Sequence, residues 1–236
     1  MQPKYKRILL KISGEALAGA KGFGLDQDII AGIIDQIKEV HDLGVEIGIV
    51  IGAGNFWRGR QGSGMDRSTA DYMGMLATVI NSVCLKDALV RQGVDARVMT
   101  AVPMSPLAEN YSADVAKRYL SEGKVVIFGA GLGVPFLSTD TTGAVRGAEI
   151  GADAMLMAKN VDYIYTDDPN KNPDAKKLET IKASEFLAMN LKAIDSTAVA
   201  FCMSAGIEIK VFGLKNPTDI LGAISGKTLG TTVTAE

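Results

Sequence analysis

Short apolar runs alternate along the chain with longer stretches in which apolar residues return every three or four positions. Arg7–Ser13 (RILLKIS), Val45–Ile51, Asp95–Thr100 (DARVMT), Val125–Phe128, Ala154–Ala158 (AMLMA), Glu208–Phe212 (EIKVF) and the closing TTVTA read as strands. Their nearly unbroken apolar character suits strands covered on both faces, as in a parallel sheet. Asp26 is placed to cap a helix running to Leu43, with Ile29, Ile30, Ile33, Ile34, Ile37 and Val40 on one stripe and Gly44 at its end. A long amphipathic helix spans Ser68–Gln92, and Ser112 can cap another through Leu120. Thr139–Ile150, Ala183–Met189, Asp195–Ala205 and Asp219–Ser225 complete the helical stretches. Thr166–Lys177 (TDDPNKNPDAKK) is the most polar segment, and its prolines and asparagines mark an exposed loop. Strands alternating with helices predict an α/β chain with an open, mostly parallel central sheet covered on both faces.

Length changes this picture little. At 236 residues the chain could hold one large domain or two small ones. No stretch is rich enough in proline, glycine or serine to serve as a linker, so residues 1–236 are expected to form a single domain. Cys84 and Cys202 lie far apart without CxxC spacing, which argues against a zinc site and for reduced thiols in a cytoplasmic setting. The N-terminal apolar run is shorter than a signal-peptide core, and no stretch is expected to reach the length of a membrane span. Net charge is −2 with both signs scattered, so no nucleic-acid footprint is expected.

Chemistry gathers where strands end in glycine. RILLKISGEAL, IGIVIGAGNFWRG and VVIFGAGLGVP each run from an apolar strand into a glycine turn. In a parallel sheet these carboxyl ends share one edge, where ligands of open α/β folds collect. Glycine lets backbone N–H groups approach an anion closely, and Arg58 and Arg60 beside the second turn suit a phosphate. Lys11, inside an apolar strand, is either a stem reaching the surface at a sheet edge or a point charge aimed at phosphates. Asp140 is either a helix cap or an acid at the third glycine turn. Asp71 alone would pass for a solvated helix residue, Trp57 for a core or interface aromatic, and His41, the single histidine, for a surface group.

Familiar phosphate signatures are missing: there is no GxxxxGK[ST], no GxGxxG with its trailing acid, and no HRD or DFG element. A histidine base is missing as well. Hydroxyl phosphorylation usually needs a base, whereas a phosphate acceptor, with a second pKa of about 6, or a carboxylate is already ionised. The residues therefore point to phosphoryl transfer onto an anionic acceptor.

KRILLKISGEAL, GVEIGIVIGAGNFWRG, DYMGMLATVINS, PFLSTD, VDYIYTDDP and the closing GTTVTAE together resemble the bacterial UMP kinases of the amino acid kinase family, from about residue 5 to 236. The resemblance implies a three-layer α/β/α sandwich, a homohexamer, Mg2+-dependent transfer of the ATP γ-phosphate to UMP, GTP activation and UTP inhibition. It implies Lys11, Asp140 and Arg58 as catalytic residues. Lys11, Ile12, Ser13, Gly14, Gly54, Arg58, Lys159, Asn160, Tyr165 and Asp168 correspond to ATP contacts. Ala53, Asp71 and the run Leu132, Gly133, Val134, Pro135, Phe136, Leu137, Ser138 and Thr139 correspond to UMP contacts, Asp71 at the ribose. Gly19, Ala20, Lys21, Gly22, Phe23 and Gly24 resemble the segment tied to GTP activation. The Mg2+ is expected to come with ATP, without protein ligands. Ala53 replaces a usual glycine and Val134 a common asparagine, and the Lys159-Asn160 region is shorter than in many relatives.

Two other functions stay open on the residues alone. A carboxylate kinase on the same scaffold would phosphorylate an amino acid, against which Asp71 and the Ser138-Thr139-Asp140 run argue. A non-catalytic nucleotide- or oxyanion-binding protein has no evident use for Lys11 and Asp140.

Overall fold

The computed structural model describes residues 2–57, 64–169, 171–214, 216, 218–226 and 229–236. In chain order the elements are β1 (Arg7–Ile12), α1 (Gln27–Asp42), β2 (Glu46–Ile51), α2 (Arg67–Arg91), β3 (Ala96–Thr100), β4 (Glu109–Asn110), α3 (Ala113–Ser121), β5 (Val125–Gly129) and α4 (Thr139–Ile150). They continue with β6 (Ala154–Lys159), β7 (Ile164–Tyr165), β8 (Lys177–Leu178), β9 (Thr180–Lys182), α5 (Ala183–Ala188), α6 (Ser196–Ala205), β10 (Glu208–Gly213), α7 (Asp219–Ile224) and β11 (Thr231–Thr234). Nine strands form one sheet in the order β4-β3-β5-β2-β1-β6-β10-β11-β9, parallel throughout except where β11 runs antiparallel to β10. β7 and β8 form a separate antiparallel hairpin, and the polar Thr166–Lys177 segment links its strands.

Side-chain alternation sorts the sheet into two faces. Ile8, Leu10 and Ile12 of β1, Ile47, Ile49 and Ile51 of β2, and Leu156 and Ala158 of β6 pack under α1, α2 and α7. Leu9, Val50, Met155 and Met157 face the other way, against α3, α4, α5 and α6. This is the expected three-layer sandwich. The winding reverses between β1 and β6: the chain leaves β1 toward β2, and leaves β6 toward β10. Such a reversal opens a crevice at the carboxyl ends of the flanking strands.

The predicted long strands and helices are present to within one or two residues at each end, and Asp26 and Ser112 cap α1 and α3 as the sequence suggests. Several details differ. Gly14–Lys21 is a 3-10 segment rather than open loop. Ile29 belongs to the α1 stripe by spacing but is exposed, because in the first turn of α1 it lines an open cavity with Gly19 and Gly22. The two-residue strands β4, β7 and β8 and the short β9 escaped the sequence pattern, being too brief to show a period. One expectation fails outright: α2, at 25 residues and mean hydropathy 1.4 over its most apolar window, has the length and composition of a membrane span. Half of that window is buried, and α2 packs on β3, β5 and α1, as a core helix does.

Candidate active site

The three glycine turns do converge. A methyl group on Gly14 would sit 2.3 Å from the carbonyl oxygen of Gly52, so the turns after β1 and β2 touch backbone to backbone. The third turn follows β5, the neighbour of β2, with Ala130, Gly131 and Gly133 all at positive φ. Ala130 is held in that conformation by Thr78 of α2, whose Oγ1 accepts the Ala130 N–H at 2.9 Å while donating to Met75 O at 2.6 Å.

Parity explains the charges. Lys11 follows Leu9 onto the α4 face, and Lys159 follows Met155 and Met157 onto the same face of the adjacent strand. Gly143, one turn into α4, lies against the tips of Met155 and Leu9, which a side chain there would displace. That close approach lowers Asp140, in the first turn of α4, between the two lysines. Lys11 Nζ lies 2.8 Å from Asp140 Oδ1, and Lys159 Nζ lies 2.8 Å from Oδ2. Lys159 also donates to Ala193 O at 2.6 Å, and the Asp195 N–H reaches Asp140 Oδ2 at 3.3 Å. Ser138, not Asp140, caps the helix.

Asp140 is only 8 % exposed. Burial alone would raise its pKa, but the ammonium groups of Lys11 and Lys159 outweigh burial and hold it at about 2. Burial lowers the pKa of Lys159, and Asp140 only partly restores it. Asp140 is thus a permanent anion and a poor base at neutral pH. The Asp140 carboxylate joins the two ammonium groups, and Asp195 lies close enough to act on Lys159 as well.

Two clefts open beside this cluster. A cleft of about 780 Å³ is lined by Lys11, Ser13, Lys159, Asn160, Tyr165 and Asp168, among others. A smaller one of about 150 Å³ is lined by Ala53, Trp57, Asp71, Leu132, Val134 and Thr139 among others. Thr139, which lines the small cleft, precedes Asp140 in the first turn of α4. The profile of the amino acid kinase family matches residues 6–213. The chain belongs to the amino acid kinase family. It is similar to the UMP kinase of Bacillus anthracis, at 35% identity over 98% of this chain and 97% of that one, with a TM-score of 0.95. It is similar also to the UMP kinase of Ureaplasma parvum, at 36% identity over 97% and 98% of the two chains and a TM-score of 0.91. The uridylate kinase of Archaeoglobus fulgidus, at 24% identity over 96% and 99% of the chains and a TM-score of 0.75, shares the fold.

Within this amino acid kinase, Lys11, Ser13, Lys159, Asn160, Tyr165 and Asp168 line the large cleft and Ala53, Trp57, Asp71, Leu132, Val134, Leu137 and Thr139 the small one, whereas Ile12, Gly14, Gly54, Gly133, Pro135, Phe136, Ser138 and the Gly19–Gly24 run line neither. Asp71 faces the small cleft, its Oδ2 accepting from Arg67 Nε at 2.8 Å and from the Phe136 N–H at 2.9 Å. It therefore ties α2 to the 132–139 run, where Phe136 has φ of 71°. Trp57 lines the same cleft and donates through Nε1 to Ala70 O at 2.8 Å. Gly54 and Asn160 border a third cavity of about 670 Å³ along the first turns of α1, with Gly19 and Gly22. Lys159 borders it too, but its ammonium is taken up by Asp140 rather than held out toward a base, and Asn160 Nδ2 donates to Glu15 Oε2 at 2.8 Å. Phe23 is exposed and stacks edge-on to Phe56. His41 contacts Gly123 O through its Nε2 where α1 leads into β2 and α3 into β5, at the amino ends of the strands and opposite the clefts. Arg58 and Arg60 lie outside the described residues.

Sequence reading missed the pairing of Lys159 with Asp140, although strand parity after AMLMA carries the signal. It also missed Thr78, Asn55 and Asn81, buried polar residues of ordinary helix and turn contexts. Arg146 was missed too: it is buried over the Tyr111 ring at 3.5 Å and bonded to Glu149 Oε2 at 2.6 Å.

Proposed function

We propose that this chain is an ATP:UMP phosphotransferase acting as a single domain. The observation that carries it is the Lys11–Asp140–Lys159 cluster, set between a large and a small cleft at the point where the sheet winding reverses. The similarity to UMP kinases over nearly the whole chain supports uridylate as acceptor, and the one sheet drawing strands from residue 7 to 234 supports a single domain.

ATP occupies the large cleft, with its triphosphate over Lys11, Ile12, Ser13 and Gly14 and its adenosine toward Tyr165 and Asp168. UMP occupies the small cleft, its ribose at Asp71 and its phosphate under the 132–139 run and Ala53. The UMP phosphate, mostly dianionic at neutral pH, attacks the γ-phosphorus in line, and ADP leaves from the opposite side. No base and no covalent intermediate are needed. Lys11 and Lys159 offset the charge that spreads over the transferred group, and Asp140 fixes both ammonium groups in place before the substrates arrive. Mg2+ would come with ATP and would neutralise charge on its phosphate oxygens.

The homohexamer of the resemblance is supported by a stripe on α2, where Tyr72, Met73, Leu76, Ile80 and Val83 are exposed. Apolar side chains at this helical spacing, left uncovered, suit burial against another copy. GTP activation is assigned to Gly19–Gly24, supported by its place between α1 and the Phe56 turn, and UTP inhibition to competition at the UMP cleft. The two reduced cysteines agree with a cytoplasmic enzyme.

A coupled assay of ADP release tests this reading, with MgATP and either UMP, CMP or acetylglutamate as acceptor. UMP is expected to be turned over at least tenfold faster per unit kcat/KM than the others. Preference for the carboxylate, or tight ATP binding without turnover of any acceptor, would overturn it.

A further inference from the structure

Two buried amides lie outside the roles assigned above. Asn55 ends the Gly52–Gly54 turn, Asn81 lies in the middle of α2, and neither is more than 1 % exposed. Their side chains are reciprocally bonded, Asn55 Nδ2 to Asn81 Oδ1 at 3.0 Å and Asn81 Nδ2 to Asn55 Oδ1 at 2.8 Å. Each amide gives its second N–H to a main-chain carbonyl: Asn55 to Gly24 O at 2.9 Å, and Asn81 to Gly52 O at 2.8 Å. The Gly24 N–H returns to Asn55 O at 2.9 Å.

Every side-chain N–H of the pair is therefore engaged. A buried amide is costly unless fully bonded, and once fully bonded it dictates geometry in a way an apolar pair would not. The residues it grips are those least able to hold themselves. Gly52 and Gly54 carry no side chain to anchor, yet this turn meets the first glycine turn at Gly14, puts Ala53 on the small cleft and puts Gly54 on the cavity it shares with Lys159 and Asn160.

We propose that Asn55 and Asn81 form a positioning clamp that holds the Gly52–Gly54 turn between α2 and the Gly24 end of the preceding segment, so that its backbone is set for both nucleotides at once. The clamp touches neither Lys11 nor Asp140, which lie on the opposite face of the sheet. Loosening it weakens the binding of both substrates far more than it slows the chemical step. The inference rests on the phosphotransferase reading.

The test compares steady-state kinetics of full-length Asn81→Asp, Asn55→Asp, Asn81→Ser, Asn55→Ser and a double variant, with thermal unfolding measured alongside. The carboxylate keeps the shape but cannot donate to Gly52 O or Gly24 O. Ile37→Val, in the α1 core, serves as a control for destabilisation without a change at the site. Asn81→Asp is expected to raise KM for both MgATP and UMP about tenfold with kcat within about threefold of wild type. For the double variant both positions are changed to Ser, since two buried carboxylates would repel each other, and it is expected to be no worse than the poorer single Ser variant, because the pair acts as one unit. Unchanged KM values in a folded variant, additive effects, or the same rise in KM in Ile37→Val would each overturn the clamp. Should Asn81→Asp fail to fold, Asn55→Ser is judged by the same criteria. Hydrogen exchange on the wild-type protein gives an arm independent of turnover: Gly24 and the 52–55 turn should open at one common rate, and unrelated rates would sink the clamp. A wild-type protein inactive on UMP would count against the phosphotransferase reading alone, leaving that exchange result to decide on the clamp.

Discussion

The two edges of the sheet both carry charge, and they carry it differently. At the amino ends of the strands, Lys4 and Tyr5 share Glu208, Arg7 pairs with Glu46 and the Ile150 carbonyl, and Asp153 accepts the Lys6 and Arg7 backbone N–H groups. Lys4 has about half of its side chain in water. Cations and anions there are matched, as in a set of structural ties. At the carboxyl ends two lysines converge on one carboxylate and all three are largely buried. A buried cation is expensive without an anion to meet it. The geometry, not the number of ion pairs, separates the edge proposed to bind phosphate from the edge that holds strands together.

Substitutions at the two edges should fail in different ways. Lys11→Ala is expected to have the largest effect, lowering kcat by about 100- to 1,000-fold with the UMP KM little changed, because its ammonium matters most as charge develops on the transferred group. Wild-type turnover in single-turnover assays of that variant would take Lys11 out of the chemistry. Asp140→Asn should lower kcat by about 100-fold and also destabilise the fold, since two buried ammonium groups lose their partner. The pH dependence fixes its sign. The folded pKa of about 2 lies below the ordinary value of 3.8, so the ionised carboxylate adds stability above about pH 4 that is lost as pH falls toward 2. That contribution is on the order of 2 kcal/mol. Denaturant titrations at pH 7 and near pH 2 should show the gap between wild type and Asp140→Asn narrowing in acid.

Asp71→Ala is expected to raise the UMP KM about tenfold while kcat stays within a few fold, as loss of a charge-assisted bond to bound substrate would do. An unchanged KM would remove Asp71 from the ribose. Glu208→Gln, at the opposite edge, should have the smallest effect. It should lower Tm by about 2–4 °C, corresponding to about 1 kcal/mol, and leave both KM values alone. A loss of activity there without loss of stability would break the contrast between the two edges.

Much of this was legible along the chain. The long strands announced themselves because a strand buried on both faces must be apolar throughout, and glycine after three of them marked the ligand edge. Lys11 stood out as a charge in an apolar run, and Asp140 stood beside the third turn. The β7–β8 hairpin and β9 did not, since two or three residues carry no period. Ile29 misled for a related reason: spacing reports which side of a helix a residue is on, not whether a cavity opens beside it.

Local sequence thus determined the elements, the face on which each strand residue points, and which residue types were unusual enough to matter. Only the folded chain decided that Lys159, 148 positions after Lys11 by their numbering, shares its carboxylate, and that Asn55 and Asn81 close on each other around the second glycine turn. Periodicity is a short-range property of the backbone, whereas these meetings depend on strand order and on how closely α4 and α2 can approach the sheet. Gly143 against Met155 and Leu9, and Thr78 against the Ala130 N–H, are such contacts between residues remote in sequence.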